Sequence, residues 1–346
     1  MPKSSNVRIK EIAERLDLSV GTVSVVLNGR GDAMRISKAT QERVRAVADE
    51  MNYQPNIYAR RLRNTGIEKP ARLIGVFWNY LYADEIMSNV YRFLQEEADS
   101  KEYRTEFTFR FFHPDQLHKD CEIITSQQFN GIIIYGISDA DEAFLNESMP
   151  NLPVVVLLRR AEKLHSICLD DYAVGQNVAR LFMARGYRNA GFIGSRQRGR
   201  SATLRKLGFL EQCKQYGIRI EERWIKETPE RDQKGGRLAM QEILQEGEHP
   251  SILFVSAPQQ VIGIINACQK AGVHIPQDME LLAYGEYSYF DHLSPTISCV
   301  YLPMQYLAAT ALDLLLTVLD KNIQMPINRT LREEYQFRES CGGFSK

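Results

Sequence analysis

Ser19-Val20-Gly21-Thr22-Val23-Ser24-Val25-Val26-Leu27-Asn28 is the stretch on which the reading of this chain turns. Ser19 is a good N-cap, because its side-chain oxygen accepts from an N–H that the first turn of a helix leaves unpaired. Val23, Val26 and Leu27 then fall at i, i+3 and i+4 and mark one buried apolar face. Gly21, Thr22, Ser24, Val25 and Asn28 fall on the more open faces. Small and hydroxylic residues there let a helix lie close to a groove floor and bond phosphates. Alone, the stretch suits a short amphipathic helix in any bundle just as well, so its neighbours decide.

Upstream, Ile9, Ile12, Ala13 and Leu16 stand at helical spacing, and Asp17-Leu18 make a tight turn into Ser19. Downstream, Gly29, Gly31 and Asp32 break a loop that runs from Gly29 to Ile36. Ser37 caps a third helix reaching about Met51, with Val44, Val47, Ala48 and Met51 on its apolar face. Three short helices around a small shared core fit a helix-turn-helix module. A further segment starts at Tyr53-Gln54-Pro55-Asn56. Pro55 suits a helix start and Ala59 to Arg63 are good helix formers, yet so short a helix needs a surface to dock on.

The 346 residues carry equal numbers of basic and acidic side chains, but not evenly spread. Residues 1–66 hold twelve Lys and Arg against seven Asp and Glu, and the remainder is correspondingly acidic. A basic head on an acidic body is the electrostatic footprint of a nucleic-acid-binding module joined to something else. The six cysteines have no short paired spacing, which argues against a zinc site or a disulfide framework, and the histidines are dispersed. No metal and no cofactor is expected. Met1 to Lys10 has no apolar core of a signal peptide and no run is long enough for a membrane span, so a cytoplasmic protein is expected.

Four blocks resemble the LacI/GalR family of bacterial transcription regulators: Ile-Lys-Glu-Ile-Ala at 9–13, Ser-Val-Gly-Thr-Val-Ser at 19–24, Val-Leu-Asn-Gly at 26–29 and Tyr-x-Pro-Asn-x-x-Ala-Arg-x-Leu at 53–62. The resemblance implies a sequence-specific regulator, a repressor by expectation, that binds a pseudo-palindromic operator as a homodimer. Carried over residue by residue, it makes Val20, Gly21 and Val25 the readers of base edges. Ser19, Thr22, Ser24 and Asn28 match phosphate-contacting positions. Tyr53, Asn56, Ala59, Arg60 and Leu62 belong to a hinge helix at about 54–63, with Leu62 as the wedge that kinks the central base step from the minor groove. Two departures stand out. The family often has arginine where Val25 stands, and valine cannot bond a guanine. The loop from Arg30 to Ile36 is longer than usual, and Arg30 and Arg35 in it are candidates for extra phosphate contacts or solvated side chains.

Beyond residue 70 the pattern changes to apolar runs alternating with helices. Leu73 to Trp78, Thr105 to Phe111, Gly131 to Tyr135 and Val154 to Leu158 read as strands, with helices at Ile86 to Ser100 and Leu117 to Gln127. A second set follows in Asn189 to Gly194, Ser251 to Val255 and Glu280 to Tyr284. Alternation of this kind implies parallel sheets with right-handed crossovers. The expected fold is an N-terminal all-α helix-turn-helix domain plus an α/β core of two parallel-sheet subdomains. This core resembles the effector-binding part of the same family, shaped like a periplasmic binding protein. The expected division is a head at 1–66 and a core at 67–346. Within the core, one subdomain spans about 71–166 and 299–326, the other about 167–296 and 329–346. Crossings are expected near 165–169, 294–300 and 324–331.

The resemblance places a small-molecule effector of unknown identity in the cleft between the subdomains. Trp78, Tyr80 and Tyr82 follow the first strand, at the carboxyl end where ligands sit in open α/β sheets. Arg205 stands three residues before Gly208, as in the family, and Arg159, Asp170 and Asp171 match further cleft positions. The Asn-Asp pair of sugar-responsive members maps to Ala257-Pro258, and the usual Phe-Asp maps to Tyr284-Gly285. Two carboxylates suit vicinal hydroxyls, so their loss argues against an ordinary monosaccharide and for an anionic or aromatic effector. Two other readings stay open at this point. One is a core that answers to a protein partner. The other is an α/β ligand-binding protein or enzyme with no DNA role, to which Gly191-Phe192-Ile193-Gly194-Ser195 lends only a weak phosphate-loop likeness.

Overall fold

In the computed structural model the chain begins with the three short helices α1 (Ile9–Leu16), α2 (Val20–Leu27) and α3 (Lys38–Glu50). The structure describes residues 9–27, 31, 32, 34–51, 71–120, 124, 129–148, 152–196, 199–245 and 247–341. Ile12, Ala13 and Leu16 of α1 pack with Val23 and Val26 of α2 and with Val44 and Ala48 of α3. Asp17 turns the chain between α1 and α2 at a left-handed φ of 53°, which Asp tolerates better than most residues, and the Leu18 N–H closes the turn on the Ala13 carbonyl. Ser19 and Ser37 cap α2 and α3, accepting from the N–H of Thr22 and Thr40 respectively.

The core holds two six-stranded sheets of the same topology. The first contains β1 (Arg72–Asn79), β2 (Thr105–Phe112), β3 (Gly131–Tyr135), β4 (Val154–Leu157), β5 (His165–Leu169) and β11 (Asn328–Leu331), in the order β11-β5-β4-β3-β1-β2. The second contains β6 (Gly191–Ser195), β7 (Ile225–Thr228), β8 (Ile252–Val255), β9 (Glu280–Tyr284), β10 (Ser298–Tyr301) and β12 (Glu334–Gln336), in the order β12-β10-β9-β8-β6-β7. In both sheets the chain starts near the middle, steps to one edge, then returns and runs the other way. The reversal falls between β1 and β3 in one sheet and between β6 and β8 in the other. Open α/β sheets bind ligands beyond the carboxyl ends of the strands at such a reversal.

Helices α4 (Glu85–Ser100), α5 (Asp139–Ser148) and α10 (Met304–Lys321) serve the first sheet. Helices α6 (Asp171–Ala184), α7 (Arg200–Gln215), α8 (Gln233–Leu244) and α9 (Val261–Ala271) serve the second. Leu307, Leu312, Leu314 and Leu315 of α10 are fully buried, which is why that helix reads as an apolar run. The strands of the first sheet pair in parallel, and so do those of the second except at β12, which runs antiparallel to β10. Only Arg332 and Glu333 separate β11, in the first sheet, from β12, in the second, so β12 joins its sheet directly from the other subdomain and not by a crossover from β10.

Each passage between the sheets lies a few residues past the expected place. The chain crosses after β5, after β10 and between β11 and β12, so 165–169 and 328–331 are strands of the first sheet and 298–301 a strand of the second. Within the expected helix at Leu117 to Gln127, Leu117–Asp120 form a 3-10 turn and Ile124 is helical; residues 121–123 and 125–128 lie outside the described part. Gly191–Ser195 is an interior strand, not a phosphate loop. No helix among the described residues is long and apolar enough to cross a membrane.

Candidate functional site: the outer face of α2 and the cleft of the core

On α2 the open face is narrower than its spacing suggests. Val20 is 48% exposed and Gly21 is open, while Thr22 and Val25 are half-buried at the rim. Ser19 is exposed, and its hydroxyl lies 2.8 Å from that of Thr22. Ser24 corrects the expectation: it is 3% exposed and faces the head's core. It stands one turn before Leu27 and next to Val23, so it shares their arc and cannot present its hydroxyl to a phosphate. Asn28, Tyr53, Asn56, Ala59, Arg60 and Leu62 lie outside the described residues.

The long loop before α3 is held by a residue the sequence reading passed over. Gln41 is buried, and its amide donates to the Asp32 carboxylate at 2.9 Å and to the Ile36 carbonyl at 2.8 Å. A side chain at Gly31 would run into that amide, which explains the glycine. The loop thus displays Met34 and Arg35, both exposed. A glutamine four residues after a helix cap looks like any surface polar residue, so nothing in the sequence marks it.

In the core, Arg205 and Asp171 come together. Arg205 is only 5% exposed, and its Nη2 donates to Asp171 Oδ1 at 2.7 Å. Nη1 donates to Ser256 Oγ at 3.2 Å, and the guanidinium lies 3.2 Å from the centre of the Tyr284 ring. Burial pushes the Tyr284 hydroxyl up to about 12, against the pull of Arg205. The contact depends on two glycines. A Cβ at Gly175 of α6 would strike the Arg205 carbonyl, and one at Gly208 of α7 would strike the Tyr172 carbonyl. Backbone-to-backbone packing of α6 on α7 therefore sets the start of α6, with Asp171, against the middle of α7, with Arg205.

The other expected cleft residues are already engaged. Arg159 is bound by the carboxylates of Glu142 and Asp139 on α5, an ion pair that secures the first subdomain. Asp170 caps α6 by accepting from the Ala173 N–H at 3.0 Å. Trp78 is 1% exposed; its indole donates to the Tyr82 carbonyl and its ring lies 4.4 Å from that of Tyr135, its register partner on β3. Tyr80 is exposed but turned to the sheet edge, with its ring against His113 after β2. So Arg205, Asp171 and Tyr284 share one spot, while Arg159 and Tyr80 stand apart from it.

Across the mouth of the cleft the subdomains bond each other directly. Tyr287 Oη and Gln259 Nε2 both donate to Asp84 Oδ2, at 2.6 and 3.0 Å. Glu85 accepts from the N–H and hydroxyl of Ser288, at 3.0 and 3.1 Å. Ser201 donates to the Leu158 carbonyl at 3.1 Å, and the Arg231 guanidinium lies 4.6 Å from the centre of the Tyr82 ring. Tyr82 follows the first strand as expected, whereas Asp84, Gln259 and Arg231 were not expected at the site. They sit after β1, β8 and β7, where loop residues carry no periodicity. Among the described residues no three His, Cys, Asp or Glu side chains gather as metal ligands.

A helix-turn-helix head joined to a two-subdomain α/β core defines a DNA-binding transcriptional regulator controlled by a ligand. The head is a LacI-family helix-turn-helix domain and the core carries a periplasmic binding protein-like domain: the model of the lacI family of bacterial regulatory proteins matches residues 8–56, and that of the periplasmic binding protein-like domain matches residues 179–341. The sucrose operon repressor of Klebsiella pneumoniae is 27% identical over 341 residues, spanning 97% of this chain and 99% of that protein. A LacI family transcription regulator from Clostridium acetobutylicum superposes with a TM-score of 0.73 at 26% identity over 78% of this chain and all of that one. The lac repressor dimer bound to operator and the anti-inducer ONPF superposes at 0.71, 21% identical, over 97% of this chain and 99% of that one.

Proposed function

We propose that this protein represses transcription by binding a pseudo-palindromic operator as a homodimer, one α2 per half-site, and that a small molecule in the core's cleft controls the binding. The observation that carries the reading is the capped α2 with Val20 and Gly21 outermost, in a basic head on an α/β core. Ser19 and Thr22 supply hydroxyls for phosphates, and Val20, Gly21 and Val25 face the bases. Valine side chains offer no hydrogen bond, so base choice rests on apolar contact with thymine methyls, on backbone groups and on how easily the central step deforms. The second copy is expected on the face formed by edge strand β2 and helix α4. Phe111 and Tyr91 are exposed there, and an uncovered apolar edge favours pairing. The protein is read as cytoplasmic and non-enzymatic, since its relatives are repressors.

Selection of bound sites from random duplex DNA, followed by anisotropy titration of the winning site, tests this. The expected result is a two-fold-symmetric site whose affinity falls steeply with salt, because several phosphates are neutralised per half-site. Salt-insensitive binding, or no enrichment, overturns the reading. Leu62→Ala separates wedge from linker: operator affinity falls while dimerisation stays intact.

A further inference from the structure

Every carboxylate seen at the cleft is already occupied. Asp171 holds Arg205, Asp84 takes Tyr287 and Gln259, Glu85 takes Ser288, and Asp139 and Glu142 hold Arg159. Each therefore has fewer acceptor sites left for the hydroxyls of a neutral sugar. Donors, by contrast, are in surplus. Arg231, half-buried over Tyr82, makes no hydrogen bond or ion pair among the described residues, and the buried Nε of Arg205 has no partner. An orphaned donor in a residue this buried points to a ligand acceptor.

The surroundings of Asp84 are more informative still. Its Oδ1 caps α4, accepting from the Ile86 N–H at 3.0 Å. Its Oδ2 reaches across the cleft to two donors that also bond each other, Gln259 Nε2 to Tyr287 Oη at 2.7 Å. Arg231 comes near the same turn, its guanidinium 4.6 Å from the centre of the ring of Tyr82, which stands just before Asp84. Tyr287 and Gln259 therefore form an oxyanion receptor on one subdomain, with Arg231 nearby over Tyr82, and its occupant is a carboxylate of the other.

We infer that the effector is a small oxyanion, a carboxylate or a phosphate, that takes the place of the Asp84 carboxylate at Tyr287 and Gln259, beside Arg231, and so loosens the start of α4 from the second subdomain, leaving the Glu85–Ser288 bonds as the remaining tie. This rests on the cleft being the effector site and adds its chemistry and its mode of action. Exchanging one anion for another leaves the donors satisfied, so release costs little beyond the intramolecular advantage of Asp84. The consequence reaches beyond the cleft, because α4 packs on α10 and carries Tyr91 on the face offered to a second copy.

Asp84→Asn is the clean perturbation, since asparagine caps a helix as well as aspartate and removes only the charge. The full chain and the variant are titrated with inorganic phosphate and with acetate, chloride being matched throughout. The fluorescence of Trp78 and the melting temperature are followed. The variant should bind the preferred anion about tenfold tighter, the factor by which a tethered competitor at ten times its own dissociation constant suppresses an external ligand. Adding Arg231→Gln should cancel the gain, and which anion responds separates phosphate from carboxylate. Equal anion binding by the chain and its Asp84→Asn variant overturns the inference, as does a gain that survives Arg231→Gln. A neutral sugar or nucleobase that shifts operator affinity equally in all three proteins would overturn it too, yet leave the cleft as the effector site. Operator affinity indifferent to every small molecule would reject the cleft itself.

Discussion

Removing Asp171 while leaving Arg205 in place tests the central contact of the core. Both side chains are almost fully buried, at 6% and 5% exposure. Losing one partner of such a pair strands the other's charge away from water, at a cost of about 3–5 kcal/mol. Part is retained, because the guanidinium keeps the face of Tyr284, worth roughly 0.5–2 kcal/mol, and the Ser256 hydroxyl. The net loss for Asp171→Ala should be about 3 kcal/mol. At roughly 2–4 °C per kcal/mol for a large domain, the melting temperature should fall by about 6–12 °C. Thermal unfolding followed by circular dichroism measures it, alongside Arg205→Met and the double variant. The double variant should recover much of the loss, because replacing both buried charges removes the stranded one. A single-variant loss below about 1 kcal/mol, or a double variant equal to the sum of the singles, would refute the idea that the pair is one buried unit.

Gly208→Ala should cost about 1–3 kcal/mol in chemical denaturation, because the added methyl meets the Tyr172 carbonyl and pries α7 from α6. The same substitution at Gly217, where nothing lies within reach of a Cβ but φ is 69°, should act through backbone strain alone, so Gly208→Ala ought to displace Arg205 and Gly217→Ala ought not. Val25→Arg should shift the selected operator toward guanine at the position α2 faces, by about 1–3 kcal/mol, read as a change in the logo of selected sites. His165 gives a pH dependence. It is buried and its Nδ1 accepts from the Ile327 N–H, and burial holds its folded pKa below the ordinary 6.5. The unfolded chain then takes the proton first, so stability is full above about 6.5 and is lost as pH falls through the window down to the folded pKa. His165→Asn should remove that acid-side slope from a plot of denaturation midpoint against pH.

Local chemistry decided the head. Ser19 and Ser37 are caps, Asp17-Leu18 is a turn, and the valine and isoleucine spacings are helical whatever the chain does later, so three helices and their shared core follow from residues a few positions apart. The same holds for the interior strands, whose runs such as Gly131–Tyr135 and Val154–Leu157 are apolar because both faces are covered. The interior strands β5 and β10 escaped, as did the short edge strands β7, β11 and β12, which have no apolar run to announce them, and with them went the true crossing points.

Tertiary structure alone decided which polar side chains are free. Ser24 reads as a surface hydroxyl but is turned inward, because an eight-residue helix has no room for a face that periodicity has not already claimed. Arg159 and Arg205 look alike in the sequence, yet one is spent on α5 and the other lies over Tyr284 at the cleft. Asp84 and Tyr287 meet across 203 positions of chain, a distance at which no spacing rule operates. Burial and partnership are properties of the packed molecule: the sequence by itself determined that this is a helix-turn-helix head on a two-subdomain core, and the packing determined which charges in its cleft are already taken.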